Sequence, residues 1–177
     1  MSKRMGLARM EALMEKLKRE INLSHSTSFK GEKRRVESIN NTAVRTRTLT
    51  KEESGTLFLI TNTTADNNIT FTFPTAATAI AGVHYEFTFS ANCDDNADVI
   101  WTTGANGIDI YGYIVTGGAN STLQDCDGLS KITLDASVAQ STEGTRLVFM
   151  CDGSNWHMTG YTTTVIGSTL FVESASA

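Results

Sequence analysis

The sequence predicts a mainly β protein, a β-sandwich or barrel body with an N-terminal amphipathic helix and an extended arm. Three observations predict it. Between residues 56 and 172, short apolar or alternating runs recur, with turn signals about every 10–15 residues. Thr, Ser, Asn and Gly enrich a chain that has 19% charged residues and a single Pro, a composition suited to short strands and many turns. The charge is also divided. Residues 1–51 hold 13 of the 15 Lys+Arg and 5 of the 19 Asp+Glu, a net +8, while 52–177 hold 2 and 14, a net −12. Such asymmetry marks an interaction tail on a folded body. The expected organisation is a helix and basic arm over 1–50 and a β-body over 51–177.

The elements follow in order. Met10, Leu13, Met14, Leu17 and Ile21 share one face at a 3.6-residue period, which predicts a helix over 4–22. Its stripe, with Met5, needs a partner surface, and Met suits irregular contacts. Residues 23–50 carry Lys30, Lys33, Arg34, Arg35, Arg45 and Arg47 with few apolar positions, the pattern of an arm that orders against something else. Strands are expected at Thr56–Thr61, Ile69–Phe73, Val83–Phe89, Val99–Thr102, Ile108–Val115, Lys131–Leu134, Thr145–Met150, Trp156–Tyr161 and Ser168–Val172. The first two read as a hairpin across Ala65–Asn68. The clearest hairpin joins Arg146–Met150 to Trp156–Thr159 through an Asp152-Gly153 turn, where Gly supplies the positive φ of a tight reversal. No 20–50-residue repeat is visible, which argues against a solenoid or propeller.

The residues exclude most chemistries. His25, His84 and His157 have no partner at motif spacing, and no nucleophile elbow, H-E-x-x-H, P-loop or Rossmann fingerprint occurs. A Cys/His pair, such as Cys151 with His157, is left for the fold to bring together. Cys93, Cys126 and Cys151 are odd in number and lack C-x-x-C spacing, so they read as reduced, small hydrophobes. The Asp94–Asp98 loop offers oxygen ligands but lacks the Gly and distal Glu of an EF-hand, so it reads as a solvated turn. No catalytic residue, cofactor or metal is expected. An acidic body disfavours nucleic acid. The helix lacks Trp and Phe and carries Glu11, Glu15 and Glu20, which disfavours a membrane surface. No leader-like or membrane-spanning apolar run is present, so the Asn-x-Thr sequons are read as accidents of composition.

Three segments carry a resemblance. Thr50–Phe58 (T-K-E-E-S-G-T-L-F), Gly144–Trp156 (G-T-R-L-V-F-M-C-D-G-S-N-W) and the helical start M-G-L-A-R-M-E-A-L-M-E-K-L-K-R-E-I-N resemble small β-rich virion proteins of tailed phages of marine bacteria and cyanobacteria. The resemblance implies a structural protein of the phage particle, made in the host cytoplasm. It implies a head decoration protein that binds major capsid or other virion subunits through its N-terminal arm, often as a homotrimer. Met5, Met10, Leu13, Met14, Leu17 and Ile21 would then bury the stripe, and the arm's Lys and Arg would meet carboxylates of neighbouring subunits. Deleting residues 1–50 is expected to leave a soluble body that no longer joins particles. The alternative is a tail-fibre or receptor-binding module in which Trp101, Tyr111, Tyr113 and Trp156 stack on a glycan.

Overall fold

In a computed structural model of the chain, the residues described are Glu11, 34–94, 96–104, 108–117, 123–134, 142–165 and 171–175. Met5, Met10, Leu13, Met14, Leu17, Ile21, Lys30 and Lys33, and the helix expected around them apart from Glu11, lie outside the described residues. The chain separates into two compact units, Met1–Lys33 and Arg34–Ala177. The second is the β-body.

Its strands are β1 (Val36–Asn40), β2 (Arg45–Thr48), β3 (Leu57–Thr61), β4 (Ile69–Thr72), β5 (His84–Phe89), β6 (Val99–Thr102), β7 (Ile110–Gly117), β8 (Leu123–Leu134), β9 (Arg146–Cys151), β10 (Trp156–Val165) and β11 (Phe171–Ala175). Most follow the period-two rule. In β3 Phe58 and Ile60 are buried while Leu57, Leu59 and Thr61 are half-buried, and in β9 Leu147, Phe149 and Cys151 are buried between more open neighbours.

The chain winds before it folds back. β1, β3 and β5 lie side by side in parallel, and so do β2, β4 and β6. Each pass therefore lays one strand in each of two layers, and three passes stack as three coils. Val36 pairs with Leu57 and Leu57 with Glu86, so the coils advance by 21 and then 29 residues. β9 then adds antiparallel to β5 and β8 antiparallel to β6. β10 continues from β9 and β7 from β8, and β10 pairs with β7 in parallel to join the layers. The result is one curled sheet, a half-barrel, in the order β1-β3-β5-β9-β10-β7-β8-β6-β4-β2, with β11 on β8.

Several expectations change here. The runs 56–61 and 69–73 are not a hairpin, because β3 and β4 belong to different layers and each finds parallel partners from other coils. The stacked coils are a short solenoid without a sequence repeat, since turn lengths differ between passes. Residues 34–50 are not an arm: β1 and β2 form the first coil of the body. The strand expected at 131–134 begins at Leu123. The Asp-Gly hairpin is present, joining β9 to β10, with Gly153 at φ +100°.

The register stacks the core. Glu37, Phe58, Phe87 and Leu147 form one cross-strand row, and Arg47, Phe71, Trp101 and Ile132 form the facing one. Phe58 meets Phe71 at 5.9 Å between ring centres, and Phe87 meets Trp101 at 5.6 Å. The apolar stack ends in a charged pair. Arg47 bonds to Glu37 and Glu53, and its guanidinium lies 5.1 Å from the Phe58 ring centre. Short edge strands with inward-facing charges resist edge-to-edge pairing, and both β1 and β2 have them.

Arg47→Met is expected to cost about 3 kcal/mol, because it leaves two carboxylates half-buried and unneutralised. Chemical denaturation of the variant measures this. The same carboxylates set acid sensitivity. The Arg47 hydrogen bond holds Glu37 below its ordinary value of 4.5. Burial pushes Glu53 up, but bonds from Arg47 and Thr50 outweigh it and leave it lowered. A lowered folded pKa gives stability that is present above 4.5 and lost as pH falls through the folded values. Melting temperature is expected to fall steadily below about pH 4.5, and a flat profile down to pH 3 would contradict it.

Candidate functional site

The outward-facing residues of β5, β9, β10, β7 and β8 form the candidate surface. Alternation aims Tyr85, Phe87, Leu147, Phe149, Trp156 and Met158 inward, all fully buried, so their neighbours face out. Those neighbours line up in rows. His84, Met150, His157 and Tyr111 make the first, and Glu86, Val148, Thr159, Tyr113 and Asp125 the second. Thr88, Arg146, Tyr161, Val115 and Leu123 make the third.

Many of these side chains are apolar yet open to solvent. Tyr113 is 45% exposed, Tyr161 48%, Met150 51% and Leu123 66%, with Val115 beside them at 40%. A hollow of about 320 Å³ is lined by His84, Val148, Met150, His157 and Thr159. A second of about 280 Å³ lies among Tyr113, Arg146, Val148, Thr159, Gly160 and Tyr161. The two share Val148 and Thr159 and so form one trough. Gly160 lines the second hollow with backbone only, and a side chain there would point into the core, 2.5 Å from Leu147 Cδ2.

The polar groups on this face are mostly engaged. Glu86 is 5% exposed and lies between Arg146 and Arg34, which both bond to its carboxylate. Burial pushes its pKa up, but the two guanidinium hydrogen bonds outweigh this and leave it lowered. Arg34 also donates to the Gly55 carbonyl at 3.0 Å. His157 Nε2 lies 2.8 Å from Asp152 Oδ2. Asp152 is held well below the usual carboxylate range by the Asn155 backbone N–H first, then by His157 and the Ser154 N–H.

Cys151 does not join that imidazole–carboxylate pair. Cys151 is buried on the inner face, whereas His157 is exposed on the outer one, so strand alternation separates the pair the sequence left open. Cys93, Cys126 and Cys151 are buried free thiols. Among the described residues, no group of three His, Cys, Asp or Glu is placed to hold a metal ion. No helix among them is long and apolar enough to cross a membrane.

The residues predicted for partner contact divide. Arg34 and Arg47 bond to carboxylates of their own body, and Arg35 reaches Glu37 at 3.5 Å. Arg45 is exposed at the start of β2. The aromatics proposed for a glycan divide too. Trp101 and Trp156 are completely buried, locked into ring contacts with Phe149 and Phe73. Tyr111 is half-buried 6.2 Å from the His157 ring, and Tyr113 is exposed. Sequence reasoning missed Val115, Leu123, Met150 and Tyr161. The signal for Met150 was present in R-L-V-F-M-C and that for Val115 in I-Y-G-Y-I-V, where both faces of one strand are apolar. The arrangement offers broad apolar contact with a few fixed polar groups, the chemistry of a docking surface. A comparison with protein-family models finds no match to this chain, and neither does a comparison with curated protein sequences.

Proposed function

We propose that this chain is a non-catalytic structural protein of a tailed-phage particle, most specifically a decoration protein seated on the head shell. The observation that carries the reading is the outer sheet face, where Tyr113, Val115, Leu123, Met150 and Tyr161 are exposed together. Contiguous exposed apolar surface marks an interaction site rather than a reaction site. Residues 1–33 add eight Lys and Arg against four Glu, a cationic attachment segment suited to acidic capsid surfaces.

The test mixes purified chain with empty heads of the encoding phage and follows co-sedimentation. Binding by the full chain, and its loss on removing residues 1–33, is the expected result. Equal binding without that segment sinks the attachment role. The deletion must stop at Lys33, because removing 1–50 also removes β1 and β2 and bares the Phe58–Phe71 layer. A receptor-binding role is favoured by one observation, the hollow between Tyr113 and Tyr161 with Arg146 at its side. Aromatic faces stack on sugars, so retention on immobilised host glycans with no affinity for heads would select that reading.

A further inference from the structure

The trough face has a charge order that its apolar strip does not explain. Across the sheet run β9, β10, β7 and β8. β9 carries Arg146, which is 45% exposed although its Nε bonds to Glu86. β10 and β7 carry Thr159, Tyr161, Tyr113 and Val115, with no charge among them. β8 carries Asp125 and Asp127, both exposed, with Asp125 in register with Tyr113. The face is thus basic on one side, apolar in the middle and acidic on the other.

We propose that this face binds a second copy of the same chain. A two-fold axis lying in the contact plane, running roughly along β10 and β7, sets β9 of one copy over β8 of its partner. By register Arg146 of each copy then lies over Leu123 of the other, with Asp125 the next outward residue along β8, and the tyrosine–valine strip meets itself. Such self-complementarity is what an isologous interface requires. Elsewhere the acidic body, with 7 Lys and Arg against 15 Asp and Glu over residues 34–177, a net −8, repels its own copies. On this strip the charges are paired or of opposite sign, so association is guided to it. The edges β1 and β2 do not compete, because their inward charges blunt them. The inference stands apart from the head-shell reading: a copy seated on this face leaves attachment to residues 1–33, and dimerisation in solution and binding to heads are separate measurements.

The test uses the full-length chain. Sedimentation velocity at about 10–100 µM is expected to show a self-associating species. Val115→Glu and Tyr161→Glu are expected to weaken association about tenfold or more. Asp125→Arg, which touches no core residue, is expected to do the same by setting like charges together. Val115→Cys introduces a solvent-facing thiol, since the three native cysteines are buried. It is expected to yield disulfide-linked dimers under mild oxidation, while Thr46→Cys on β2 does not. Circular dichroism verifies that each variant keeps its sheet. A wild-type chain that stays monomeric overturns the proposal. So does association indifferent to both Asp125→Arg and Val115→Glu, or equal crosslinking from Thr46→Cys.

Discussion

Phe87→Ala is expected to lower stability by about 4 kcal/mol, the cost of truncating a large aromatic side chain in a core that cannot collapse around the gap. Phe87 is fully buried and touches four other rings. It lies 5.2 Å from Phe58, 4.8 Å from Phe71, 5.6 Å from Trp101 and 5.7 Å from Phe149. Those rings come from β3, β4, β6 and β9, so the vacancy would sit where both layers meet. The loss corresponds to roughly 10 °C in melting temperature for a body of this size. Phe87→Leu retains most of the volume and is expected to cost about 1.5 kcal/mol. Thermal and guanidinium melts of the two variants check the pair, and similar losses would mean the ring cluster is not tightly packed.

Gly112→Ala is expected to cost about 3 kcal/mol or more, combining an unfavourable backbone angle with an overpacked contact. Gly112 has φ +141°, and an added Cβ would sit 1.8 Å from the Met158 carbonyl oxygen and 2.7 Å from its carbon. The obstacle is backbone, not the movable end of a side chain. β7 would have to part from β10, and that parallel pair is the seam that joins the two layers. Gly128→Ala is the matched control. It has φ +70° with no atom within 4 Å, so it pays only the left-handed backbone cost of about 1–2 kcal/mol. Equal melting temperatures for the two variants would show that the seam yields without cost.

What the sequence made legible was local. The runs that became β3 to β7, β9 and β10 were readable because buried aromatics and β-branched residues alternate along them. The β9–β10 reversal was readable because Asp152-Gly153 permits only a few backbone geometries. β1 and β2 were hidden because Val36-Glu37-Ser38-Ile39-Asn40 and Arg45-Thr46-Arg47-Thr48 put charges, Glu37 and Arg47, at inward places where apolar residues are expected; the two neutralise each other, with Glu53. The pairing of strands was hidden as well. A parallel neighbour lies a whole coil away, and the coils differ in length, so no fixed period marks it. The aromatic residues were visible as a class, but the choice between core and surface depended on parity within strands whose register was unknown. Trp101 and Trp156 fell inside; Tyr113 and Tyr161 fell outside.

The parallel seam between β7 and β10 also governs the order of assembly. Ile110 waits for Trp156, and no nearby segment can take that place. During synthesis on the ribosome, the earlier passes emerge well before the hairpin that must close against them. Long-range parallel pairings of this kind make folding slow and leave apolar strands open in the interval. Nascent chains are therefore most vulnerable to proteases and to clumping just before Trp156 clears the exit tunnel, and chaperone demand during expression should track that point.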